Sequence, residues 1–380
     1  MKLPGILLIA YKLLTNDRGK FFALLTGITF AVFLMVQMTS IFSGVLARAA
    51  GTVSNIGAPV WIMDPAVNTV ANTIPVPAYL LDAVRSVPGV RFAVPLYSGG
   101  GLVKLRDGKY QAVSVIGLDD TSLFGRPPLE RGRIGDIYAE NGYIVVHDAE
   151  YRKLGSPDIG SEFELNDHRV VVVGIARVTA GGLFGVPTLY TTYSRAVQNL
   201  PVTRYTTSFI LAEVKNAAGL SALRQETARL GYLTLTREEF ITRISDFYKY
   251  QTGVGTNILL MTAVSFIVGL SISGQTFYTF ILENLDKFGA LKAIGAKGCE
   301  LVRMILFQAT FTALAGYGLG VGLCVLLITI AKLRLPSYAA QITWWNLGFA
   351  LAMVLIIAGI SGYIGVRKVL RIEPFDIFRG

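Results

Sequence analysis

The sequence predicts an α-helical membrane protein with four transmembrane helices and an α+β domain inserted between the first and the second. Hydrophobic residues make up 52% of the 380 residues and charged residues 16%, which is typical of a membrane protein with a sizeable water-exposed part. Four uncharged runs are long enough, at about 1.5 Å per residue, to cross about 30 Å of hydrocarbon. These runs are Phe21–Leu46, Gly253–Leu282, Met304–Ala331 and Trp344–Val366.

The chain order of these runs predicts six parts. Charges occur throughout residues 47–252, and no run in that stretch could span a membrane. The N-terminal helical segment could lie in the membrane interface or simply begin the first span, broken at Asn16-Asp17. The expected parts are an interfacial helix and first transmembrane helix (1–46), an α+β domain (47–252), the second transmembrane helix (253–282), a coupling helix (283–303), the third and fourth transmembrane helices (304–366) and a tail (367–380).

Lysine and arginine residues in the short segments predict the orientation, because cytoplasmic loops carry an excess of them. The N-terminal flank, the connection after the second run and the C-terminal tail together hold twelve, whereas the connection between the third and fourth runs holds Lys332 and Arg334. Both termini are therefore expected in the cytoplasm and the inserted domain in a bacterial periplasm, with the chain in the inner (plasma) membrane. The net charge of +10 then reflects topology, so no nucleic-acid partner is expected.

Two turn signals organise the inserted domain. Asp107-Gly108 favours a hairpin between two apolar stretches, and Asn166-Asp167-His168 favours a second. Strands are expected at Val90–Leu96, Leu102–Arg106, Tyr110–Gly117, Tyr143–Val146, Glu162–Leu165, Arg169–Ile175, Ser208–Val214 and Tyr232–Leu235, and helical segments at Tyr79–Val87, Ala149–Leu154 and Leu220–Leu230.

The helical pattern of Arg237–Tyr250 leads toward the second span. A helix continuous with that span would form a stalk that carries motion outward, whereas Gly253 and Gly255 would allow a hinge.

Both cysteines, Cys299 and Cys324, lie outside the inserted domain, which is therefore expected to fold without disulfides.

The sequence lacks the residues that several kinds of binding and catalytic chemistry require. The chain has no Gly-x-x-x-x-Gly-Lys-Ser/Thr sequence for holding ATP phosphates, and its two histidines, His147 and His168, fall in a turn and a hairpin. We therefore expect a protein that is not an enzyme and that itself binds no cofactor or metal. The four runs also contain no ionisable residue, which argues against ion-coupled transport and indicates a partner as the source of energy.

Small and polar residues in the spans predict helix contacts. Glycines three or four residues apart favour close helix approach, and packing within one protomer is the expected arrangement. Glutamines are expected to face protein or a water-filled space instead of lipid. The glycines are Gly316, Gly318, Gly320, Gly322, Gly359, Gly362 and Gly365, and the glutamines are Gln37, Gln275 and Gln308.

The connection Glu283–Gly298 is mixed in charge and helical in pattern. A short amphipathic helix between two spans has little to pack on except lipid or a partner, so this segment suggests a contact that passes force to a protein docked on the membrane face. Phe288 and Leu291 share a helical face and are expected to be its apolar anchors, while the glycines allow close approach and the lysines could pair with acids. The alternative is an interfacial helix lying on lipid. The candidate contact residues are Glu283, Lys287, Phe288, Gly289, Leu291, Lys292, Ile294 and Gly295.

The segment Thr179–Pro187 has a loop-like composition and presents Leu183 and Phe184 between glycines. A contact with a periplasmic partner or a substrate is one interpretation, and a plain surface loop is the other.

The order of a span, a large outer domain and three spans resembles the MacB/FtsX-type ABC permeases over nearly the whole chain. The best motif, Lys287–Ala296, is similar to that family's signature after the second span, although Lys287 stands where many relatives carry Glu. Further similarity lies in the periplasmic core, at Gly142–Val146, Gly160–Leu165 and Val170–Ile175, and in the ending Glu373–Arg379.

Within that family, Gly27–Ala31 followed by Gln37, and then Trp61–Asp64, is most similar to the DevC subgroup. The resemblance implies a homodimeric permease that transmits the strokes of two cytoplasmic ABC ATPase subunits, which would use the ATP and magnesium. It also implies a periplasmic adaptor (membrane fusion protein) and, beyond it, an outer-membrane channel.

The expected function is export of a hydrophobic or amphipathic substrate. One alternative is a non-transporting, FtsX-like regulator of a periplasmic cell-wall hydrolase, and another is a lipoprotein-releasing permease.

Overall fold

The computed structural model describes residues 3–105, 107–178, 185–200, 207–335 and 337–370. The chain divides into two compact units. We call them the helical unit, which comprises residues 1–44, 254–334 and 340–380, and the sheet unit, which comprises residues 45–253 and 335–339.

Four helices are long and apolar enough to cross a membrane, which confirms the four predicted spans. They are α2, α8, α10 and α11, and each extends past its uncharged run at one end or both. Within the described ranges the helices are α1 (Leu3–Asn16), α2 (Arg18–Ala49), α3 (Gly51–Ile56), α4 (Tyr79–Ser86), α5 (Tyr193–Asn199), α6 (Ala217–Arg229), α7 (Arg237–Asp246), α8 (Gly253–Glu283), α9 (Leu285–Ala293), α10 (Gly298–Arg334) and α11 (Trp344–Leu370).

Asp17 separates α1 from α2 and caps the second helix. Its Oδ1 accepts a hydrogen bond from the backbone N–H of Lys20 at 3.2 Å, which satisfies a donor that has no partner inside the helix. The buried side chains of α1 are Ile6, Ala10 and Leu14, which form one stripe at a spacing of four residues. The segment is thus an amphipathic helix distinct from α2, and its location in the membrane interface stays a prediction.

Two of the four glycines at 316–322 of α10 pack directly on α2. A Cβ added to Gly316 would lie 2.5 Å from Cγ2 of Ile28, and a Cβ added to Gly320 would lie 2.7 Å from the carbonyl oxygen of Thr29. At Gly318 the same position has no atom within 4 Å. The prediction of close packing inside one protomer is therefore confirmed for one face of α10.

Glycines also bring α8 against its neighbours. A Cβ on Gly27 of α2 would lie 2.5 Å from Cγ2 of Ile272, and a Cβ on Gly269 of α8 would collide with Ala31. In lipid, where no hydrophobic force drives helices together, this close fit provides the van der Waals contacts that hold them.

The three span glutamines differ in their surroundings. Gln37 is buried, and its Oε1 accepts a hydrogen bond from the Cys324 thiol at 3.3 Å. Gln308 is also buried, and its Nε2 donates to the carbonyl oxygen of Ala10 at 2.9 Å. Gln275 is exposed on α8. Among the described residues no neighbouring helix covers that side of α8, and the expectation that Gln275 faces protein or a water-filled space instead of lipid stays a prediction.

In the described residues, the sheet unit contains one mixed ten-stranded sheet, in keeping with the predicted α+β class. The strand order is β10-β1-β9-β2-β3-β8-β5-β7-β4, and β6 pairs with β2 and β7. The pairs β3–β8 and β5–β7 are parallel. The strands are β1 (Val60–Met63), β2 (Val90–Lys104), β3 (Tyr110–Leu118), β4 (Leu129–Gly132), β5 (Gly142–Val146), β6 (Glu162–Leu165), β7 (His168–Ala176), β8 (Thr188–Thr192), β9 (Phe209–Val214) and β10 (Leu233–Thr236).

Both predicted hairpins are confirmed. Lys104 pairs with Tyr110 across a turn in which Gly108 has φ +82°, a conformation that glycine adopts without strain. The second turn places Asn166 and Asp167 at φ +46° and +65°, and these are the residue types that tolerate positive φ in a two-residue hairpin loop.

The structure differs from the predicted strands in length and number. β2 continues through three glycines, so Val90–Leu96 and Leu102–Arg106 belong to one strand over the described residues. The sequence analysis missed β1, β4 and β8. β1 and β8 are completely buried short runs without alternation, and β4 is a charged edge strand, so none of them shows the period of two.

Trp61 of β1 belongs to a hydrophobic core cluster of the sheet unit that also contains Phe209 and Phe240. Its ring contacts Phe209 edge-on at 5.4 Å between centroids and lies 5.3 Å from Phe240 of α7. Its indole N–H donates to the carbonyl oxygen of Ala58 at 3.1 Å, so burial leaves no polar atom of the ring unpaired.

The connection from α7 to α8 is not a continuous helix. After α7 the chain forms a π-helical turn, Phe247–Gln251, and Thr252 is extended with φ −112° and ψ 156°. The stalk interpretation is therefore wrong, because an extended residue ends the run of helical hydrogen bonds immediately before Gly253.

A buried ion cluster fixes the last turn of α2 within the sheet unit. The carboxylate of Glu150 is buried, with Lys153 Nζ at 2.7 Å and Arg48 Nη1 at 3.7 Å. Burial raises the pKa of the neighbouring Asp148 carboxyl. Removing one member of such a cluster would leave an uncompensated charge in the interior.

Gly320 and Gly318 form a matched pair for testing the α2–α10 contact. We expect Gly320→Ala to lower the free energy of unfolding by about 1–3 kcal/mol through overpacking. Gly318→Ala should leave it unchanged or raise it by up to about 1 kcal/mol, because alanine favours the helix. Thermal unfolding of the purified protein in detergent measures both, and equal melting temperatures for the two variants would contradict the packing described.

Candidate functional site

The connection between α8 and α10 contains one short helix, α9, instead of helical structure throughout 283–303. Asn284 separates α8 from α9 with φ −101° and ψ 14°, and its side-chain Nδ2 donates to the carbonyl oxygen of Phe280 at 2.8 Å. Asn284 is buried, and its backbone N–H also donates to the carbonyl oxygen of Phe280 at 3.2 Å, so this carbonyl at the end of α8 accepts two hydrogen bonds from Asn284.

The end of α9 is fixed by a glycine cap. Gly295 has φ +102°, and its N–H donates to the carbonyl oxygen of Lys292 at 3.1 Å. The N–H of Ala296 donates to the carbonyl oxygen of Leu291 at 3.0 Å, which completes a Schellman motif. The next helix, α10, begins at Gly298, and Glu300 accepts from the N–H of Lys297 at 2.9 Å. Gly295 therefore ends α9. It is also exposed, with no atom within 4 Å of an added Cβ, and its role in the close approach of a partner stays a prediction.

The predicted apolar anchors lie on the wrong side of α9. Phe288 is completely buried and Gly289 is buried beside it, while Leu291 is half-buried. A side chain enclosed by its own protomer cannot fill a groove on another protein. The proposed role of Phe288 as an anchor for a partner is thus wrong, because the helix turns this face toward the spans.

The exposed face of α9 carries a different set of residues. Ile294 is 86% exposed, and Ala290 and Ala293 lie beside it with no bulky side chain between them. The small alanines leave the backbone accessible, and the isoleucine is the one large apolar side chain on this surface. We call this surface the coupling face, and it consists of Asp286, Lys287, Ala290, Ala293, Ile294 and Lys297.

A cluster of charged and polar side chains joins the start of α9 to the start of α2. Lys20 forms an ion pair with Glu283 and a second with Asp17 at 3.1 Å. Lys287 Nζ donates to Asn284 Oδ1 at 2.8 Å. We call Asp17, Lys20, Glu283, Asn284 and Lys287 the polar junction. It borders an open groove of about 440 Å³.

Hydrogen bonds from Lys20 lower the pKa of the Asp17 carboxyl, so the junction keeps this residue ionised at neutral pH. Glu283 and Lys287 were predicted to contact a partner, and here they bond within the protomer. Lys292 is half-buried and has interaction partners of its own. Leu183 and Phe184, the other predicted contact, lie outside the described residues.

Sequence reasoning missed Asp17, Lys20, Ala290 and Ala293. A signal existed for the first two, since Asp17 precedes a long apolar run with the spacing of a helix N-cap. The sequence contains no signal for the two alanines, because their exposure depends on which side of α9 is covered by the spans. Chemically, the site offers ion pairs, accessible backbone and one exposed aliphatic side chain.

Two family models match the chain. The MacB-like periplasmic core domain matches residues 21–230, and the FtsX-like permease C-terminal model matches residues 259–374. The first begins in α2 and ends after α6, and the second covers α8 to α11, so together they include both units.

Individual relatives agree with these models. An uncharacterised ABC transporter permease of Mycobacterium tuberculosis (strain ATCC 25618 / H37Rv) is 24% identical over 368 residues, which cover 93% of this chain and 93% of that protein. The macrolide export ATP-binding/permease protein MacB of Salmonella typhi is 23% identical over 318 residues, which cover 78% of this chain and 48% of MacB. The solved periplasmic region of MacB from Actinobacillus actinomycetemcomitans aligns with a TM-score of 0.37 and 13% identity, covering 51% of this chain and 96% of that structure.

These observations define a multi-pass membrane permease with an α/β domain inserted after its first span. The chain belongs to the MacB/FtsX family of ABC transporter permeases. The matches do not distinguish the DevC subgroup, and that assignment stays a prediction.

Phe288 and Ile294 allow the two sides of α9 to be tested separately. We expect Phe288→Ala to lower the free energy of unfolding by about 3–5 kcal/mol, because it removes a completely buried ring. Ile294→Ala should change it by no more than about 0.5 kcal/mol, because that side chain is exposed. Thermal unfolding in detergent gives both values, and a neutral Phe288→Ala would show that the ring is not buried in solution.

Proposed function

We propose that this chain is the permease subunit of an ABC exporter that works with a separate ATPase. The ATPase supplies the energy, α9 receives it, and a hydrophobic or amphipathic substrate is moved outward on the side of the sheet unit. Membership of the permease family supports this proposal, as does the similarity to the macrolide export ATP-binding/permease protein of Salmonella typhi. ATP and magnesium would be bound by the ATPase.

The observation that carries the proposal is the exposed Ile294 on the coupling face. The Ile294 side chain is 86% exposed on a short helix between two spans, and the part of its own chain that the structure describes offers no partner that would offset its contact with water. The adjoining alanines permit close approach of another backbone, and Asp286 and Lys297 at the rim could pair with charges on the ATPase.

The polar junction would carry force from α9 into the spans. A push on α9 acts at Asn284, where α8 ends, and through the ion pair between Glu283 and Lys20 it also acts on α2. Because Phe288 fixes the inner face of α9, the helix would move together with the spans instead of tilting alone.

A second copy of the chain fits the exposed face of α8. Gln275 is exposed there, and an amide in contact with hydrocarbon costs free energy unless it finds a hydrogen-bond partner. Two permease chains with two ATPase subunits would satisfy this amide across their contact. In this assembly both termini lie in the cytoplasm and the sheet unit lies in the periplasm, where it would meet an adaptor leading to an outer-membrane channel.

Replacing Ile294 tests the docking surface. We expect Ile294→Glu to weaken binding of the cognate ABC ATPase at least about tenfold, because the charge would have to be desolvated in an apolar groove. Binding is measured with the purified permease in nanodiscs and the labelled ATPase.

The matched control is Ile294→Leu, which keeps an apolar side chain of the same volume and should bind within about twofold of the original chain. The melting temperature should be the same for both variants, which separates lost docking from lost folding. Unchanged ATPase affinity in Ile294→Glu would rule out the coupling face as the docking surface.

Thiol labelling tests the proposed orientation. Lys109 lies at the tip of the β2–β3 hairpin and is exposed, and the natural Cys299 is exposed next to the α9–α10 connection. In intact spheroplasts, a membrane-impermeant maleimide should label Lys109→Cys at once and Cys299 only after permeabilisation. Cys324 is buried and should remain unlabelled under both conditions. The reverse order of labelling would overturn the orientation.

A further inference from the structure

The sheet unit contains a cavity of about 600 Å³ that no predicted site includes. This volume falls within the range of about 300–1,000 Å³ that is usual for small-molecule sites.

One face of the β2–β3 hairpin forms the floor of the cavity. The register pairs Gly100 with Ser114 and Leu102 with Ala112, and side chains two residues apart in a strand share a face. Apart from Leu102 these floor residues are small, and their size leaves the space open.

Gly100 is the glycine that packing does not explain. A Cβ on Gly99 would collide with the ring of Tyr97 at 2.7 Å, and a Cβ on Gly101 would lie 2.6 Å from Leu165. At Gly100 the nearest atom to an added Cβ would be the carbonyl oxygen of Val113 at 3.9 Å, which is an ordinary contact. A glycine inside a strand weakens it, and one with free space above it marks a place where another molecule approaches the backbone.

The walls come from other segments of the same unit. Ala49 and Thr52 lie at the end of α2 and in α3, and Tyr248 belongs to the π-helical turn before α8. The stretch 69–72 that follows β1 completes these walls together with Asn166 and Val186. Two of these segments thus lie next in the chain to membrane spans.

The lining has a uniform chemistry. Among the described residues it contains hydroxyl and amide groups, aliphatic side chains and the Tyr248 ring, but no Asp, Glu, Lys, Arg or His. Burial raises the pKa of the Tyr248 hydroxyl, which therefore stays neutral. An ionised ligand would lose hydration here without gaining a counter-charge, whereas an uncharged one could bond to the hydroxyls and amides. The polar members are Thr52, Thr69, Asn72, Ser98, Ser114, Asn166 and Tyr248.

We propose that this cavity binds an uncharged amphiphile, with an apolar body against the hairpin floor and hydroxyl or carbonyl groups against the polar walls. If the chain is the exporter subunit proposed above, on which this step rests, the cavity is where the exported molecule is held outside the membrane. Gly100 is the residue that sets its depth.

Photo-crosslinking to the full-length protein in peptidiscs tests the site. The probe is an alkyne-tagged monoacylglycerol with a diazirine in its chain, and mass spectrometry locates the adducts. We expect adducts within residues 69–72, 98–102 and 112–116, and competition by unlabelled monoacylglycerol. The corresponding fatty acid, which carries a carboxylate, should label these peptides at least tenfold less.

Gly100→Leu fills the cavity and should reduce the labelling of these peptides at least tenfold, and Ser114→Leu repeats the block from the facing strand. The control is Lys104→Leu on the same face of β2, which lies beyond the cavity and should label like the original chain. Melting temperatures identify any variant that fails to fold. Adducts confined to the helical unit, or equal labelling of Gly100→Leu and Lys104→Leu, would overturn the proposal.

The two proposals fail separately. Absent cavity labelling in a chain that still loses its ATPase through Ile294→Glu would overturn the binding site alone. Cavity labelling in a chain that associates with no ABC ATPase would overturn the exporter assignment and leave a binding site with another use.

Discussion

The helical unit depends on the close approach of other helices to α2. In a membrane the lipid tails are as apolar as the side chains, so helices associate through fit and buried polar contacts. Gly316 and Gly320 of α10 let α2 approach to contact distance, and Gly27 does the same toward α8. Gln37 adds a hydrogen bond to Cys324 on the same helix pair. Where α8, α10 and α9 lie is therefore set largely by small residues whose side chains contribute little area themselves.

This arrangement gives α9 one face that packs on the spans and one face that is exposed. Phe288 faces the spans and is buried, while Ile294 faces away and is exposed. Asn284 and Gly295 fix the two ends, one through a side-chain hydrogen bond and the other through a left-handed cap. A helix held at both ends and along one side can pass on a displacement, which a mobile loop of the same composition would absorb. The same residues thus explain both the stability of the segment and its suitability as a docking surface.

Much of the architecture could be predicted from the sequence, because long uncharged runs and turn residues act locally. Four spans follow from run length alone, and the hairpins follow from Asp107-Gly108 and Asn166-Asp167. The orientation of α9 could not be predicted in this way. Phe288 and Ile294 are both apolar, and only the contacts made by the spans decide which is covered. The same holds for the cavity: Gly100 and Ser114 come together through strand register, and no local pattern shows that the space above them is empty.

The position of β1 in the sheet has a consequence for biogenesis. β1 pairs only with β9 and β10 among the described strands, although it is the first strand to leave the ribosome. The ring of Trp61 likewise becomes covered only after Phe209 and Phe240 have been synthesised. Contacts between residues so far apart in sequence form late, and unpaired strands promote aggregation in the meantime. The nascent chain therefore carries an unpaired apolar strand until β9 and β10 have been synthesised, so a chaperone that binds extended apolar segments would have a target at Val60–Met63.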